Sequence, residues 1–279
     1  HCLSSAASDV YKRQDLLLQG ITGLAKNTGR FSYPPTQLGA GIADQLGSLN
    51  MVIGILSALH YRNRTGRGQE IKVDLMSALL QHQLQEFVAV LNLNQEFERP
   101  ESGVGHPGSG APFGIYKTKD DYITIAVASL EDLSEILNDE GLKKYSEGPS
   151  GAMGSDLQIK KRDEIFHYIE NLTKNFTTDF LDKKLSEKGC WSAPLKTHKQ
   201  VYDDPQVKHM NMFTTFHHNN YGEVKTVSPA VKLSETPTKV TRPVPMIGEH
   251  GFEILKEFGY SDEEINNFIT NEIINIEKS

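Results

Sequence analysis

Apolar residues recur at helical spacing from Gln45 to Arg62, where Leu46, Leu49, Val52, Ile53, Leu56 and Leu59 form a broad stripe. A stripe of this width predicts a long helix that is largely buried. Arg64-Thr-Gly-Arg-Gly68 ends it with a glycine turn. Ile71, Val73 and Leu75 then alternate with Lys72 and Asp74, the period-two signature of a short strand. Helical periodicity returns from Met76 to Leu93 through Leu79, Leu80, Gln83, Phe87 and Val90. A strand set between helices predicts α/β layering.

The pattern breaks from Pro100 to Gly114, a segment punctuated by Gly103, Gly105, Gly108, Gly110 and Gly114 together with Pro107 and Pro112. After it, Ile115 to Val127 reads as a hairpin that turns around Lys119-Asp120-Asp121, with Ile123, Ile125 and Val127 on one face of the second strand. Lys160–Asn171 and Thr178–Lys188 are amphipathic helical stretches. An extended, proline-bearing stretch from Phe213 to Pro245, strand-like at Val224 and Thr226, follows the break at Asp203-Asp-Pro205. The segment from Gly251 to Ile276 is helix-rich, with Ser261-Asp-Glu-Glu264 as a capping pattern before Ile265, Phe268 and Ile269.

These breaks divide the chain into residues 15–99, the rest of a larger α/β domain; 100–114, a glycine-rich linker; 115–206, a smaller α+β domain; and 207–279, a return linker with closing helices. The first fourteen residues, His1 to Gln14, read as an adapter- or vector-derived tail and are set apart from the fold.

Composition narrows the class of protein. With 279 residues, 38% of them hydrophobic, the chain is long enough for a sizeable core. No uninterrupted apolar run reaches membrane-spanning length, which points away from a membrane partner. A net charge of −7 argues against general nucleic-acid binding. Outside the tail the single cysteine is Cys190, which fits a reducing compartment and a cytoplasmic enzyme.

The candidate chemistry sits in Gly39-Ala-Gly-Ile-Ala-Asp-Gln-Leu-Gly-Ser48, where small residues surround Asp44 at the start of the long helix. Backbone N–H groups there favour a negative charge, and glycine lets a substrate approach closely. On the local pattern alone Asp44 reads as an N-cap.

A wider set of residues changes that reading. Asp15-Leu-Leu-Leu-Gln-Gly-Ile-Thr-Gly-Leu24, Thr28-Gly29, Pro34-Pro35, Ile53-Gly-Ile-Leu-Ser-Ala-Leu59, Arg62-Asn-Arg-Thr-Gly-Arg-Gly-Gln69 and Glu70-Ile-Lys-Val-Asp-Leu75 occur in order around Asp44. Downstream come Pro243-Val-Pro-Met-Ile-Gly-Glu-His250, Glu253-Ile-Leu255 and Phe258-Gly-Tyr260. Together they resemble the class III CoA-transferase family of CaiB/BaiF type, which includes formyl-CoA transferase-like and α-methylacyl-CoA racemase-like enzymes.

The resemblance implies an incomplete Rossmann-like large domain plus a smaller α+β domain, in a chain that lacks an N-terminal portion and is inactive as it stands. It implies an interlocked homodimer for the full-length chain. It further implies transfer of coenzyme A from an acyl-CoA to a free carboxylic acid, with Asp44 forming an aspartyl-CoA intermediate. Coenzyme A is then a substrate, and no cofactor is permanently bound. In the racemase branch Asp44 is instead an acid/base group facing an upstream histidine.

Gly103-Val-Gly-His-Pro-Gly-Ser-Gly110 lacks a nucleotide-loop pattern and resembles the family's mobile glycine loop, with a plain interdomain linker as the other reading; the resemblance makes Gly108 and Gly110 candidate coenzyme contacts, and His106 reads as a substrate donor or as a solvated loop histidine. Backbone N–H groups near Asp44 or in this loop are candidate oxyanion donors. Arg62, Arg64 and Arg67 complement a helix C-terminus, with a phosphate contact as the other reading. His198, His209, His217 and His218 lack a ligand set of metal-binding spacing, so no metal site is expected. Cys190 beside Trp191 reads as a small packed hydrophobe.

Overall fold

The computed structural model describes residues 14–93, 98–103, 109–146, 155–238 and 243–275. The chain separates into two compact units, His1–Leu195 and Lys196–Ser279. The first opens with α1 (Asp15–Ile21) and the single turn α2 (Leu24–Asn27). The long α3 (Ile42–Thr65) comes next, then α4 (Leu75–His82) and α5 (Leu84–Leu93). Gly66 ends α3 with φ 73°, a left-handed conformation free of Cβ strain in glycine, and donates its N–H to the Arg62 carbonyl at 2.8 Å.

Helix α3 is real, but it buries the opposite side from the one its large residues predict. Its buried residues are Ala43, Gly47 and Ala58. A Cβ on Gly47 would lie 2.3 Å from Leu75 Cδ2, and one on Gly54 would lie 2.8 Å from Ile71 Cγ2. These small residues, spaced three to four apart or by multiples of that, form a seam into which the chain leading to α4 fits closely. The stripe of Leu49, Val52, Ile53 and Leu56 is exposed, each by more than half. By length and composition alone α3 is apolar enough to cross a membrane, although polar residues such as Ser48, Asn50 and Ser57 interrupt its apolar run.

Two other expectations for this region are corrected. The alternation at Ile71–Leu75 produces extended chain, but no strand pairs with it among the described residues, and Leu75 already opens α4. Alternation specifies a strand only where a neighbouring edge supplies the ladder, and Asp74 instead caps α4 by accepting from the Ser77 N–H at 2.8 Å. Within residues 15–99, the portion expected to be Rossmann-like, the regular elements among the described residues are therefore all helices, joined by non-helical chain at 28–41 and 66–74. The helix predicted from Met76 to Leu93 breaks at Gln83, whose buried amide donates to the Thr22 carbonyl at 3.2 Å.

The rest of this unit is α+β. β1 (Gly114–Lys117) and β2 (Tyr122–Val127) form the expected antiparallel hairpin, and the short β3 (Trp191–Pro194) joins the other side of β2. α6 (Leu130–Leu137), a 3-10 helix (Glu140–Tyr145), α7 (Asp156–Lys160), α8 (Arg162–Thr173) and α9 (Thr178–Glu187) lie between β2 and β3. Tyr116, Ile123 and Ile125 from the sheet pack with Leu133, Ile165, Phe166, Ile169, Leu181 and Leu185 from the helices to make the main core. The hairpin turn also anchors a helix: Asp120 Oδ1 accepts from Thr178 N at 2.8 Å and Thr178 Oγ1 at 2.9 Å. The backbone bond from Thr178 is the chief reason the Asp120 carboxyl is held below its ordinary range.

In the second unit, α10 (His198–Asp203) and α11 (Pro205–His209) precede an antiparallel hairpin, β4 (Phe213–His218) and β5 (Gly222–Val227). The Asp203-Asp-Pro205 break is a helix start, with Asp204 as the cap and proline in the first turn. α12 (Gly251–Glu257) and α13 (Asp262–Thr270) follow. Ser261 and Glu264 form the capping box anticipated from sequence, and Ile265 is fully buried.

Within the first unit, Arg30 ties the α1–α3 region to the α+β core. Its guanidinium lies 5.0 Å from the Phe166 ring centre and 3.3 Å from Glu170 Oε1. Burial acts to raise the Glu170 carboxyl, but the bond and charge of Arg30, backed by Lys174, prevail and hold it below its ordinary value of 4.5. A carboxyl lowered on folding contributes stability that is complete above the unfolded value and is lost as pH falls through the folded one. Arg30→Met is expected to lower the urea midpoint at pH 6 and to flatten its decline below pH 4.5, as measured by unfolding at a series of pH values.

Candidate active site

The segment Gly39–Gly41 leads straight into α3, so Asp44 falls in that helix's first turn. Gly41, not Asp44, is the N-cap residue, and it has no side chain to offer. The missing acceptor comes from α1. Asp15 Oδ2 accepts from Ala43 N at 2.6 Å and from Asp44 N at 3.3 Å. This corrects the local reading of Asp44 as a cap: the anion at the head of α3 is a carboxylate from another helix, which meets both the unpaired N–H groups and the positive end of the helix dipole.

Asp15 is in turn held by its neighbour one turn on. Gln19 Nε2 donates to Asp15 Oδ1 at 2.5 Å, while Gln19 Oε1 accepts from Leu38 N at 2.9 Å. The same Nε2 lies 3.5 Å from the Ala40 carbonyl. Gln19 is 1% exposed, so the amide that joins α1 to the glycine segment is shielded from water. Sequence reasoning included both residues in a longer likeness without seeing this function. The available signal was a carboxylate and an amide four residues apart on a short apolar helix.

The Asp44 side chain itself is exposed and makes no hydrogen bond to a described residue. A Cβ on Gly41 would lie 3.7 Å from Asp44 Oδ2 and 3.8 Å from Asp15 Oδ2, so the two carboxylates flank the bare backbone of this glycine. They face an open cleft of about 740 Å³ lined by Gln14–Leu16, Gln37–Gly41 and Asp44. Such an arrangement offers an unengaged carboxylate to a ligand in a recess floored by glycine. The N–H groups of Ala43 and Asp44 are already occupied by Asp15, which removes them as free oxyanion donors.

The other candidates lie elsewhere. Gly108 and His106 are outside the described residues. Gly110 is buried, does not line the Asp44 cleft, and faces the backbone of α7, where an added Cβ would come within 2.9 Å of the Gln158 carbonyl carbon. Arg62, Arg64 and Arg67 are exposed at the C-terminal end of α3, the first two in its last turn. Cys190 packs against the main core, and burial pushes its thiol up, away from the thiolate form. In the second unit, His198, His209 and His217 are exposed. His218 is buried: Nδ1 accepts from Asn220 N at 3.1 Å, which leaves Nε2–H to donate to the Val244 carbonyl at 2.9 Å. Both ring nitrogens are thereby used. No group of three or more metal-ligating side chains occurs among the described residues.

Comparison with known proteins gives this geometry its context. The sequence profile described as CoA-transferase family III matches residues 7–251, beginning inside the segment set apart as a tail. The chain belongs to CoA-transferase family III. It is 29% identical to a formyl-CoA:oxalate CoA-transferase of Streptomyces coelicolor over 91% of its own length and 65% of that protein's. It is 27% identical to a human succinyl-CoA:glutarate CoA-transferase, over 92% of this chain and 58% of the relative. The crystal structure of a CaiB/BaiF family protein from Brucella suis superposes with a TM-score of 0.70 at 28% identity, covering 88% of this chain and 62% of that one. The chain thus spans about two thirds or less of the length of these relatives.

Two substitutions test the local architecture. Asp15→Ala removes a capping acceptor and is expected to cost about 1–2 kcal/mol in denaturant unfolding. Gly110→Ala drives a methyl group into the α7 backbone and is expected to cost about 1–3 kcal/mol in the same measurement.

Proposed function

We propose that the whole protein transfers coenzyme A between an acyl-CoA thioester and a free carboxylic acid, with Asp44 as the nucleophile. One observation carries the reading: in a chain of CoA-transferase family III, an exposed carboxylate with no hydrogen-bond partner among the described residues faces a glycine-floored cleft. The relatives' names supply acids of the kind such a cleft would receive, among them oxalate and glutarate.

In this mechanism an Asp44 oxygen attacks the thioester carbonyl carbon of the donor. The new C–O bond forms as the C–S bond breaks, giving a mixed anhydride and coenzyme A thiolate. The thiolate then attacks the Asp44 carboxyl carbon and expels the donor acid as its carboxylate, which leaves an aspartyl-CoA thioester. An acceptor carboxylate reverses the two steps and restores Asp44. No oxidant or reductant enters, and the thioester's energy is retained through covalent stages. Binding energy from the remote nucleotide end of coenzyme A offsets the high energy of the anhydride.

The reading includes a homodimer in the cytoplasm, with coenzyme A present only as substrate. The exposed apolar stripe of α3 supports an assembled state in which that surface is internal, since contiguous apolar surface of this kind marks an interaction face.

Asp44→Asn in the full-length enzyme is expected to lower CoA transfer by at least about 10³-fold, as loss of a nucleophile does. Mass spectrometry of the wild type incubated with acyl-CoA should find the CoA adduct on the peptide containing Asp44. Normal turnover by Asp44→Asn would overturn the assignment. Exchange of the α-hydrogen in deuterated water without transfer to any acid would replace it with the racemase reaction.

A further inference from the structure

The Asp44 carboxylate stands at a helix head whose strong N–H donors are the nearest partners it would otherwise take. An anion on those amides is stabilised by the helix dipole and by hydrogen bonds, both of which make it a poorer nucleophile. In this structure the amides are already filled by Asp15, at 2.6 Å from Ala43 N and 3.3 Å from Asp44 N. Gln19 holds the other oxygen of Asp15 at 2.5 Å and fixes the glycine segment through Leu38 N at 2.9 Å. Among the described residues, Asp15 and Asp44 are the titratable side chains that line the cleft.

We propose that Asp15 and Gln19 are positioning residues for Asp44: together they occupy the helix-head donors and lock the glycine segment, so that the Asp44 carboxylate is left free and aimed at the cleft. The proposal rests on the reading of Asp44 as the nucleophile. In this role neither residue needs to touch the reacting atoms. Their effect runs through the place and freedom of a neighbouring side chain, and displacement of about 1 Å at a reacting group costs roughly 10²-fold in rate.

Three variants of the full-length enzyme test this. Asp15→Ala empties the cradle and lets Asp44 turn back onto it. Asp15→Asn keeps one acceptor oxygen for Ala43 N–H. Gln19→Glu keeps the acceptor for Leu38 N–H but sets a carboxylate oxygen against Asp15 where a donor stood. Each is assayed well below its own unfolding midpoint for kcat, for KM of acyl-CoA, and for the rate of adduct formation at Asp44 in a single turnover.

The expected result for Asp15→Ala is a fall of roughly 10²-fold in kcat and in adduct rate, with KM within about twofold. Asp15→Asn should recover part of that loss, and Gln19→Glu should lose at least about tenfold. If Asp15→Ala does not fold, Asp15→Asn and Gln19→Glu carry the comparison. Wild-type adduct formation on Asp44 together with unchanged kcat and adduct rates in the folded variants would overturn the positioning role alone. A rise in KM at constant kcat would do the same. Wild-type turnover with no adduct on Asp44 would overturn both this proposal and the nucleophile assignment beneath it.

Discussion

The placement of the candidate site depends on one carboxylate meeting two main-chain amides. A helix start leaves N–H groups without partners, and Gly41 at the cap of α3 has no side chain to satisfy them. Asp15 supplies the acceptor from a separate helix, so the contact does two tasks: it ends the helix correctly and fixes where α1 lies against it. Gln19 extends the contact into the chain that precedes Gly41, so that the three glycine-segment residues before α3 and the helix head behave as one piece. Glycine at the cap is then intelligible. A residue with its own capping side chain would compete with Asp15 and fill the space beside Asp44.

The second constraint is the close seam between α3 and the chain around Leu75. Gly47 and Gly54 approach Leu75 and Ile71 too closely for a methyl group without a shift in those side chains, and Ala43 and Ala58 continue the same face. Small residues let the two segments come together, and the larger apolar side chains are turned outward as a result. Packing density, more than hydrophobicity, decides which face of this helix meets its own chain.

Where the sequence was a reliable guide, the determinants were local. Alternation at Ile123 and Ile125 marks β2 because successive residues of a strand take opposite faces, and Ser261 with Glu264 marks the start of α13 because the capping box closes over three residues. Asp44 was legible as the head of a helix for the same reason. What escaped notice was non-local. The cap of α3 comes from 28 residues upstream of Ala43, and no window around Asp44 contains it. The alternation at Ile71–Leu75 looks like a strand, but the neighbour that would make it one is absent among the described residues. β3 escaped because four residues carry too little pattern, and Trp191 at its start is exposed. In the hairpin of β4 and β5 only Val224 and Thr226 of β5 read as strand, since the pairing depends on a turn through Asn219–Tyr221 with little apolar signal.

Leu49, Val52, Ile53 and Leu56 lie wet on α3. Fully covering a side chain of this size is worth about 1.5–3 kcal/mol. Each is between 53% and 62% exposed, so a little over half of that remains to be gained, and the four together represent a reserve of roughly 3–7 kcal/mol. That reserve is drawn on only when something closes over the helix; where the cover is a separate chain, as in the homodimer proposed above, melting of this region would answer to mass action, firming as that surface becomes more abundant and softening on dilution.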